Sequence, residues 1–175
     1  MESQEFNTSE VEKIEQQPPF PTVRPVALEA DVVRFQNSKE KWIAFIGLID
    51  GRPYEIFTGL LDDEDGIVIP RWANDGLIIK AKDNDGNTRY DFQYKNLRGY
   101  KTTIEGLSQK FNPEYWNYAK LISGTLRYGM PIIKVVELIN SLHLDANINN
   151  WMNGVARALK RYIPGCLEEE QQQED

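Results

Sequence analysis

The sequence predicts an α+β domain, in which an antiparallel β-meander of about five or six strands is followed by three helices packed on one face. Two patterns indicate this class. Residues 31–106 hold short aromatic and β-branched runs separated by turn signals, whereas residues 112–163 hold apolar residues spaced by three and four. Because the strands precede the helices and do not alternate with them, we expect an antiparallel sheet.

The clearest strand signal is a hairpin near the start of this region. Lys41–Ile49 and Arg52–Thr58 are rich in aromatic and β-branched residues, and Asp50 and Gly51 lie between them. An Asp-Gly pair suits a two-residue turn, because both positions take a positive φ. The sequence therefore predicts two paired strands here.

The turn signals that follow divide the rest of the sheet. Asp65-Gly66 and Asp75-Gly76 are predicted as turns on either side of a short apolar run, Ile67–Ile69. A strand from residue 77 to residue 82 leads into a further turn at residues 83–86. In the last long strand Tyr90, Phe92 and Tyr94 alternate with polar residues, which predicts one buried and one solvated face.

The helical region begins and turns at well-marked positions. Asn112 is predicted as the N-cap of the first helix, with Pro113 at its first position. Gly129 should end that helix at a positive φ, and Pro131 should begin the second helix. Gly129 and Pro131 therefore make a tight corner between the first and second helices. The third helix is predicted to be capped near Asn147.

Net charge divides the chain into three parts. The whole chain carries −7, but residues 1–23 and 164–175 together contribute −9, so residues 24–163 carry +2. We therefore expect a disordered acidic, Pro-rich tail and linker at 1–23, one α+β domain at 24–163 and a disordered acidic tail at 164–175. A nearly neutral domain does not favour nucleic acid as a partner.

The composition also predicts a cytoplasmic location. The N-terminal residues lack the apolar core of a secretory signal, and no stretch approaches the roughly 20 apolar residues of a membrane span, so a membrane partner is not expected. The single cysteine, Cys166, cannot form an internal disulfide.

Two longer runs carry a resemblance to a known family. The segment LISGTLRYGMPI with VVELINSL after it, and the segment RPVALEADVVRFQNSKEKWIAFIGLIDGRPYEIFTG before it, resemble the C-terminal domain of cobalamin-dependent ribonucleotide reductases of the Bacteroidetes type. The resemblance covers residues 24–163. It implies a domain that follows a catalytic barrel, and a role in deoxyribonucleotide synthesis.

The resemblance does not bring the catalytic residues with it. Nucleotide reduction requires a radical-forming cysteine, a reducing cysteine pair and a carboxylate inside the barrel, and this chain has one cysteine. The adenosylcobalamin of the family belongs to that barrel, so no cofactor is expected here. Cys166 and His143 supply two metal ligands at most, where a zinc site needs about four. We therefore expect neither catalytic residues nor a metal site.

Other candidate residues have simpler structural interpretations. His143 is interpreted as a helix-end or packing residue, and the acidic run at residues 62–65 as a solvated turn. Asp83, Asp85 and Asn87 are too closely spaced for a calcium loop and predict a hairpin turn. The four tryptophans, without a basic stripe around them, are predicted to pack in the core.

Two functions remain open at this point. The first is a noncatalytic accessory domain related to ribonucleotide reductase, which contacts the catalytic chain or binds a nucleotide. The second is an independent module that binds a small ligand or a protein and has lost the reductase link. In either case the expected contact surface is the polar side of the helical corner, at Arg127, Tyr128 and Lys134. Arg127 suits a phosphate or carboxylate, but it also suits the negative end of a helix dipole.

Overall fold

The computed structural model describes residues 20–164, except residues 22, 38, 63, 65 and 111. Six strands and three α-helices follow one another in the described chain. The strands are β1 (Ala27–Asn37), β2 (Glu40–Ile49), β3 (Arg52–Leu60), β4 (Asp75–Lys82), β5 (Thr88–Lys95) and β6 (Lys101–Ile104). The helices are α1 (Pro113–Arg127), α2 (Ile132–Ser141) and α3 (Ala146–Lys160), and a single 3₁₀ turn (Leu107–Gln109) precedes them. The predicted α+β class is confirmed.

The sheet consists of two three-stranded meanders joined side by side. Its order is β3-β2-β1-β4-β5-β6, and every pair of neighbours is antiparallel. The first and fourth strands pair in the middle, so the chain crosses from the β3 edge to the centre between the two meanders. A simple meander would have placed β4 beside β3, whereas the observed order places β4 beside β1. Both faces of β2 and of the edge strand β3 are buried along most of their length.

The predicted turn at Asp75-Gly76 is wrong, because these residues begin β4 and pair with β1. A methyl group on Gly76 would overlap the Gln93 carbonyl oxygen and the Phe92 ring. Glycine is therefore needed for close packing within the sheet at this position. The short apolar run Ile67–Ile69 does not form a strand, because its pairing is an isolated bridge between Ile67 and Leu61.

The turn at Asp50-Gly51 and the start and end signals at Asn112 and Gly129 agree with the structure. Asp50 and Gly51 have φ values of 52° and 76°, as the two-residue turn requires. The Asn112 side chain accepts a hydrogen bond from the Glu114 N–H, and Gly129 has a φ of 85°. The second helix begins at Ile132, one residue later than predicted, with Pro131 as its N-cap. The third helix begins two residues earlier than predicted, because its N-cap is Asp145 and not Asn147. Asp65 of the predicted Asp65-Gly66 turn lies outside the described residues.

Alternate residues of the central strands supply two separate cores. Trp42, Ala44 and Ile46 of β2 face the helices, where they pack with the buried residues of α2 and α3. Ile43 and Phe45 point to the opposite face and pack with residues of β4 and β5. This second contact requires the sheet to curl, because Phe45 lies two strands away from β4 and three from β5 in the sheet order.

The curl brings strands from opposite halves of the sheet, β3 and β5, into side-chain contact. The ring of Phe57 on β3 lies 5.0 Å from the ring of Tyr90 on β5, although three strands separate them. The helices α2 and α3 cover the convex face. The first helix packs along the β3 edge and contributes to both cores, with Leu126 on the convex side and Trp116 on the concave side.

Candidate functional site

A cleft of about 550 Å³ opens where the curled sheet meets the first helix. Its walls come from four parts of the fold: β3, the β4–β5 hairpin, the 3₁₀ turn and one face of α1. The lining residues are Glu55, Phe57, Lys80, Thr88, Tyr90, Ser108, Trp116, Lys120, Ser123, Gly124, Arg127 and Tyr128. The volume lies within the range of roughly 300–1,000 Å³ that is usual for small-molecule sites.

One face of α1 supplies much of the wall. Trp116, Lys120, Gly124 and Arg127 follow one another at helical spacing along the cleft. The helix is fixed against the sheet by Ser123, whose buried hydroxyl oxygen accepts a hydrogen bond of 2.9 Å from the backbone N–H of Ile56. A single amphipathic helix thus presents aromatic and basic side chains to the same cavity.

The inner wall of the cleft is aromatic. The rings of Phe57 and Trp116 are stacked with centroids 5.0 Å apart, and Tyr90 lies 6.3 Å from Trp116. Burial, and to a smaller extent the carboxylate of Glu55, raises the pKa of Tyr90 above its ordinary value. The phenol is therefore neutral over the physiological range, and this wall offers faces on which a planar apolar group can stack.

The rim of the cleft is basic. Lys80 and Lys120 are exposed there, and among the described residues neither pairs with a carboxylate. Arg127 lies further along the same wall with its side chain 40% exposed. Only one acidic side chain, Glu55, is among the lining residues, so the described cleft has an excess of positive charge.

Glu55 lies at the base of the cleft between two arginines. Its side chain is 1% exposed and pairs closely with Arg24, at 2.5 Å from Nη2 to Oε1 and 3.0 Å from Nε to Oε2. Arg127 approaches the same carboxylate less closely, with 3.9 Å between Nη2 and Oε2. The guanidinium of Arg127 lies 4.8 Å from the ring centroid of Tyr54, and its buried Nε has no hydrogen-bond partner among the described atoms.

The structure separates the three residues predicted as a contact surface. Arg127 and Tyr128 line the cleft, and Tyr128 is 75% exposed at its edge. Lys134 is on α2 outside the cleft, where its exposed amine pairs with Glu137 at 3.1 Å. The surface prediction therefore contains two residues of the cleft and one residue outside it.

Several residues of the cleft were not identified from the sequence. Glu55, Lys80 and Tyr90 reach it only through the curl of the sheet, so no local pattern marks them. The prediction of core packing for Trp116 covers one part of its role, because the ring packs against the concave core and also lines the cleft. The helical spacing of Trp116, Lys120 and Arg127 on α1 is the signal that could have revealed a basic stripe beside this ring.

The remaining candidates lie elsewhere. His143 is exposed after the end of α2, and Trp72 is 42% exposed, so the prediction of core packing is wrong for Trp72. Asp83 accepts hydrogen bonds from the backbone N–H groups of Asp85 and Asn87, as a hairpin turn does. Cys166, like part of the acidic run at residues 62–65, lies outside the described residues.

Within the part of the chain that the structure describes, no group of three or more His, Cys, Asp or Glu side chains is arranged to hold a metal ion. None of the described helices has both the length and the apolar character that crossing a membrane requires.

The curled sheet, the helical layer and the cleft define a small α+β domain with a basic, aromatic cavity. Residues 28–164 of this chain match the family model described as NrdJ homologue C-terminal domain. The chain therefore belongs to this family, a C-terminal domain related to the cobalamin-dependent ribonucleotide reductase NrdJ. The family predicted from the sequence is confirmed. No match was found among curated proteins or among solved structures.

Proposed function

We propose that this domain is a noncatalytic accessory domain of ribonucleotide reductase that binds a nucleoside di- or triphosphate in the cleft. The observation that carries the proposal is the arrangement of the α1 wall, where an aromatic end and a cationic end face one cavity. Family membership links the domain to an enzyme whose substrates are nucleotides, and the cleft offers the complementary chemistry.

The chemistry of each end suits one part of a nucleotide. A base can stack on the indole of Trp116 beside Tyr90, because aromatic faces accept any base without requiring a particular sequence. Phosphate oxygens suit Arg127, whose guanidinium lies over the Tyr54 ring and makes only a long contact to the Glu55 carboxylate. Its Nε is unpartnered among the described atoms. Lys120 lies between these two ends on the same helical face.

A thermal-shift and calorimetric screen with ADP, GDP, CDP, UDP and the corresponding triphosphates tests the proposal. A ligand at 100 times its Kd should raise the free energy of unfolding by about 2.7 kcal/mol. Arg127→Gln should weaken binding about tenfold or more, because it removes a charge-assisted contact of about 1.5–3 kcal/mol. The matched control is Lys134→Gln, which changes an exposed cation outside the cleft and should leave the Kd unchanged.

The aromatic end has a matched control as well. Trp116→Leu should weaken binding by about 1–3 kcal/mol if a base stacks on the indole, whereas Trp72→Leu, an exposed tryptophan outside the cleft, should have no effect. No stabilisation by any of the eight nucleotides would contradict the proposal. Unchanged affinity in Arg127→Gln would mean that this arginine serves the helix dipole instead.

A further inference from the structure

Arg24 connects the chain before the sheet to the base of the cleft. Its side chain is 4% exposed, and besides Glu55 it donates hydrogen bonds to the backbone carbonyls of Pro25 at 2.6 Å, Val26 at 3.1 Å and Ile78 at 3.3 Å. Its guanidinium carbon also lies 5.5 Å from the ring centroid of Tyr90, which lines the cleft. A residue before the first strand thus contacts two of the residues that line the candidate nucleotide site, Glu55 and Tyr90.

A second anchor lies four residues earlier. The ring of Phe20 is 9% exposed and meets the ring of Tyr54 edge-on at 5.3 Å, while Arg52 lies 5.3 Å from the Phe20 centroid. The guanidinium of Arg127 also lies over the ring of Tyr54. The two linker anchors, Phe20 and Arg24, therefore rest on neighbouring residues of β3 that also position Arg127.

The position of Arg24 decides how the charge of Glu55 is balanced. With Arg24 docked, two close contacts neutralise the carboxylate, and Arg127 keeps only its 3.9 Å approach. Without Arg24, a carboxylate that is 1% exposed would remain beside the cleft with Arg127 as the nearest described cation. An unpaired buried charge is strongly unfavourable, so Arg127 would close on Glu55 and be lost to a ligand.

We propose that docking of Arg24 on Glu55 makes the cleft competent to bind an anionic ligand, and that ligand binding in turn tightens the docking of the linker anchors. This coupling rests on the proposed nucleotide function. Thermodynamic linkage requires the two effects to be equal, because each event changes the equilibrium of the other by the same factor. Whatever the chain carries before Phe20 would then respond to the occupancy of the cleft.

A charge cycle in the full chain tests the coupling with the same eight nucleotides. Arg24→Gln should weaken nucleotide binding about tenfold or more, because Glu55 then captures Arg127. Adding Glu55→Gln should restore the affinity to within about twofold of the wild type, since a neutral residue no longer competes for Arg127. Arg98→Gln, an exposed arginine outside the cleft, is the matched control and should bind normally.

The cycle distinguishes the two proposals. If the wild type binds and Arg24→Gln binds equally well, the coupling is wrong and the nucleotide function stands. If the double variant stays as weak as Arg24→Gln, Arg24 contacts the ligand directly and the coupling is also wrong. If the wild type binds none of the eight nucleotides, both proposals fail.

The reciprocal effect gives a second measurement that needs no variant. Hydrogen exchange of the backbone amides of Val23, Arg24 and Val26 should slow about fivefold or more when the wild type is saturated with its nucleotide. Unchanged exchange in the saturated protein would overturn the coupling. If Arg24→Gln fails to fold, hydrogen exchange in the wild type still tests the coupling. Nucleotide binding by the double variant tests it as well.

Discussion

The charge of the cleft depends on Glu55, a carboxylate buried under two guanidiniums. Burial of a single charge is costly, and the close pair with Arg24 offsets that cost within the folded protein. The pair also leaves Arg127 with a long contact and an unpartnered nitrogen among the described atoms. One buried acid therefore determines which of the two arginines is available at the surface of the cleft.

A second residue-scale contact predicts how stability depends on pH. The Tyr162 hydroxyl donates a 2.5 Å hydrogen bond to Asp31 Oδ2, and burial, followed by this bond, raises the pKa of Tyr162 well above its usual value. The unfolded chain releases the phenolic proton near pH 10, before the folded protein does. This contribution should therefore be complete below pH 10 and should decline as the pH rises further.

The comparison of wild type with Tyr162→Phe tests this sign. The melting temperature of the wild type should exceed that of the variant at neutral pH, and the difference should begin to shrink above about pH 10. Tyr100→Phe is the matched control, because Tyr100 is 69% exposed and its removal should not change the profile. A difference that stays constant to pH 11 would rule out the linkage.

At the scale of elements, the third helix approaches the sheet closely because it has a glycine at the contact. A methyl group on Gly154 would overlap Cδ2 and Cε2 of Phe35 on β1. The first helix makes its own close contact through Ser123, whose hydroxyl satisfies a backbone N–H of β3. Small residues at these two contacts thus set how near the third helix lies to the convex face and how near the first helix lies to the β3 edge.

Gly154→Ala should lower the free energy of unfolding by about 1–3 kcal/mol, because the Phe35 ring must move out of a packed site. Gly124→Ala in α1 is the matched control. A methyl group at that position meets nothing within 4 Å, so the replacement should raise stability by about 0.5–1 kcal/mol through helix propensity. Urea unfolding followed by circular dichroism measures both. Equal effects of the two substitutions would contradict the packing argument.

At the scale of the whole molecule, the curl of the sheet creates both the second core and the cleft. Phe45 and Phe92 meet with centroids 4.5 Å apart inside the curl, and the first helix closes the gap between β3 and β5. The cavity is therefore enclosed by parts of the chain that lie far apart in sequence. Its shape should be sensitive to the packing of the entire concave core.

The family relationship predicts an association at the same scale. When the domain is added as a separate chain to an extract of its host, it should co-purify with the catalytic chain of a ribonucleotide reductase and change the activity of that enzyme. Arg127→Gln should alter the activity effect if the nucleotide in the cleft mediates it. Recovery of no reductase chain, together with unchanged activity, would favour the independent binding module.

The sequence predicted the elements better than their arrangement. The hairpin at Asp50-Gly51, the cap at Asn112 and the glycine at 129 depend on local backbone conformation, which neighbouring residues determine. Asp75-Gly76 has the same local signal as a turn but lies in a strand. There the glycine is required by the Phe92 ring, a contact that no local pattern could reveal.

The sequence by itself determined the α+β class, the helical corner and the family, because periodicity, turn residues and long matching segments are all properties of contiguous chain. Only the tertiary structure decided the strand order, the curl and the cleft. Arg24 and Arg127 share the carboxylate of Glu55, although Arg24 lies 31 positions before Glu55 and Arg127 lies 72 positions after it. Such a cluster forms only when burial and charge balance are satisfied across the whole fold.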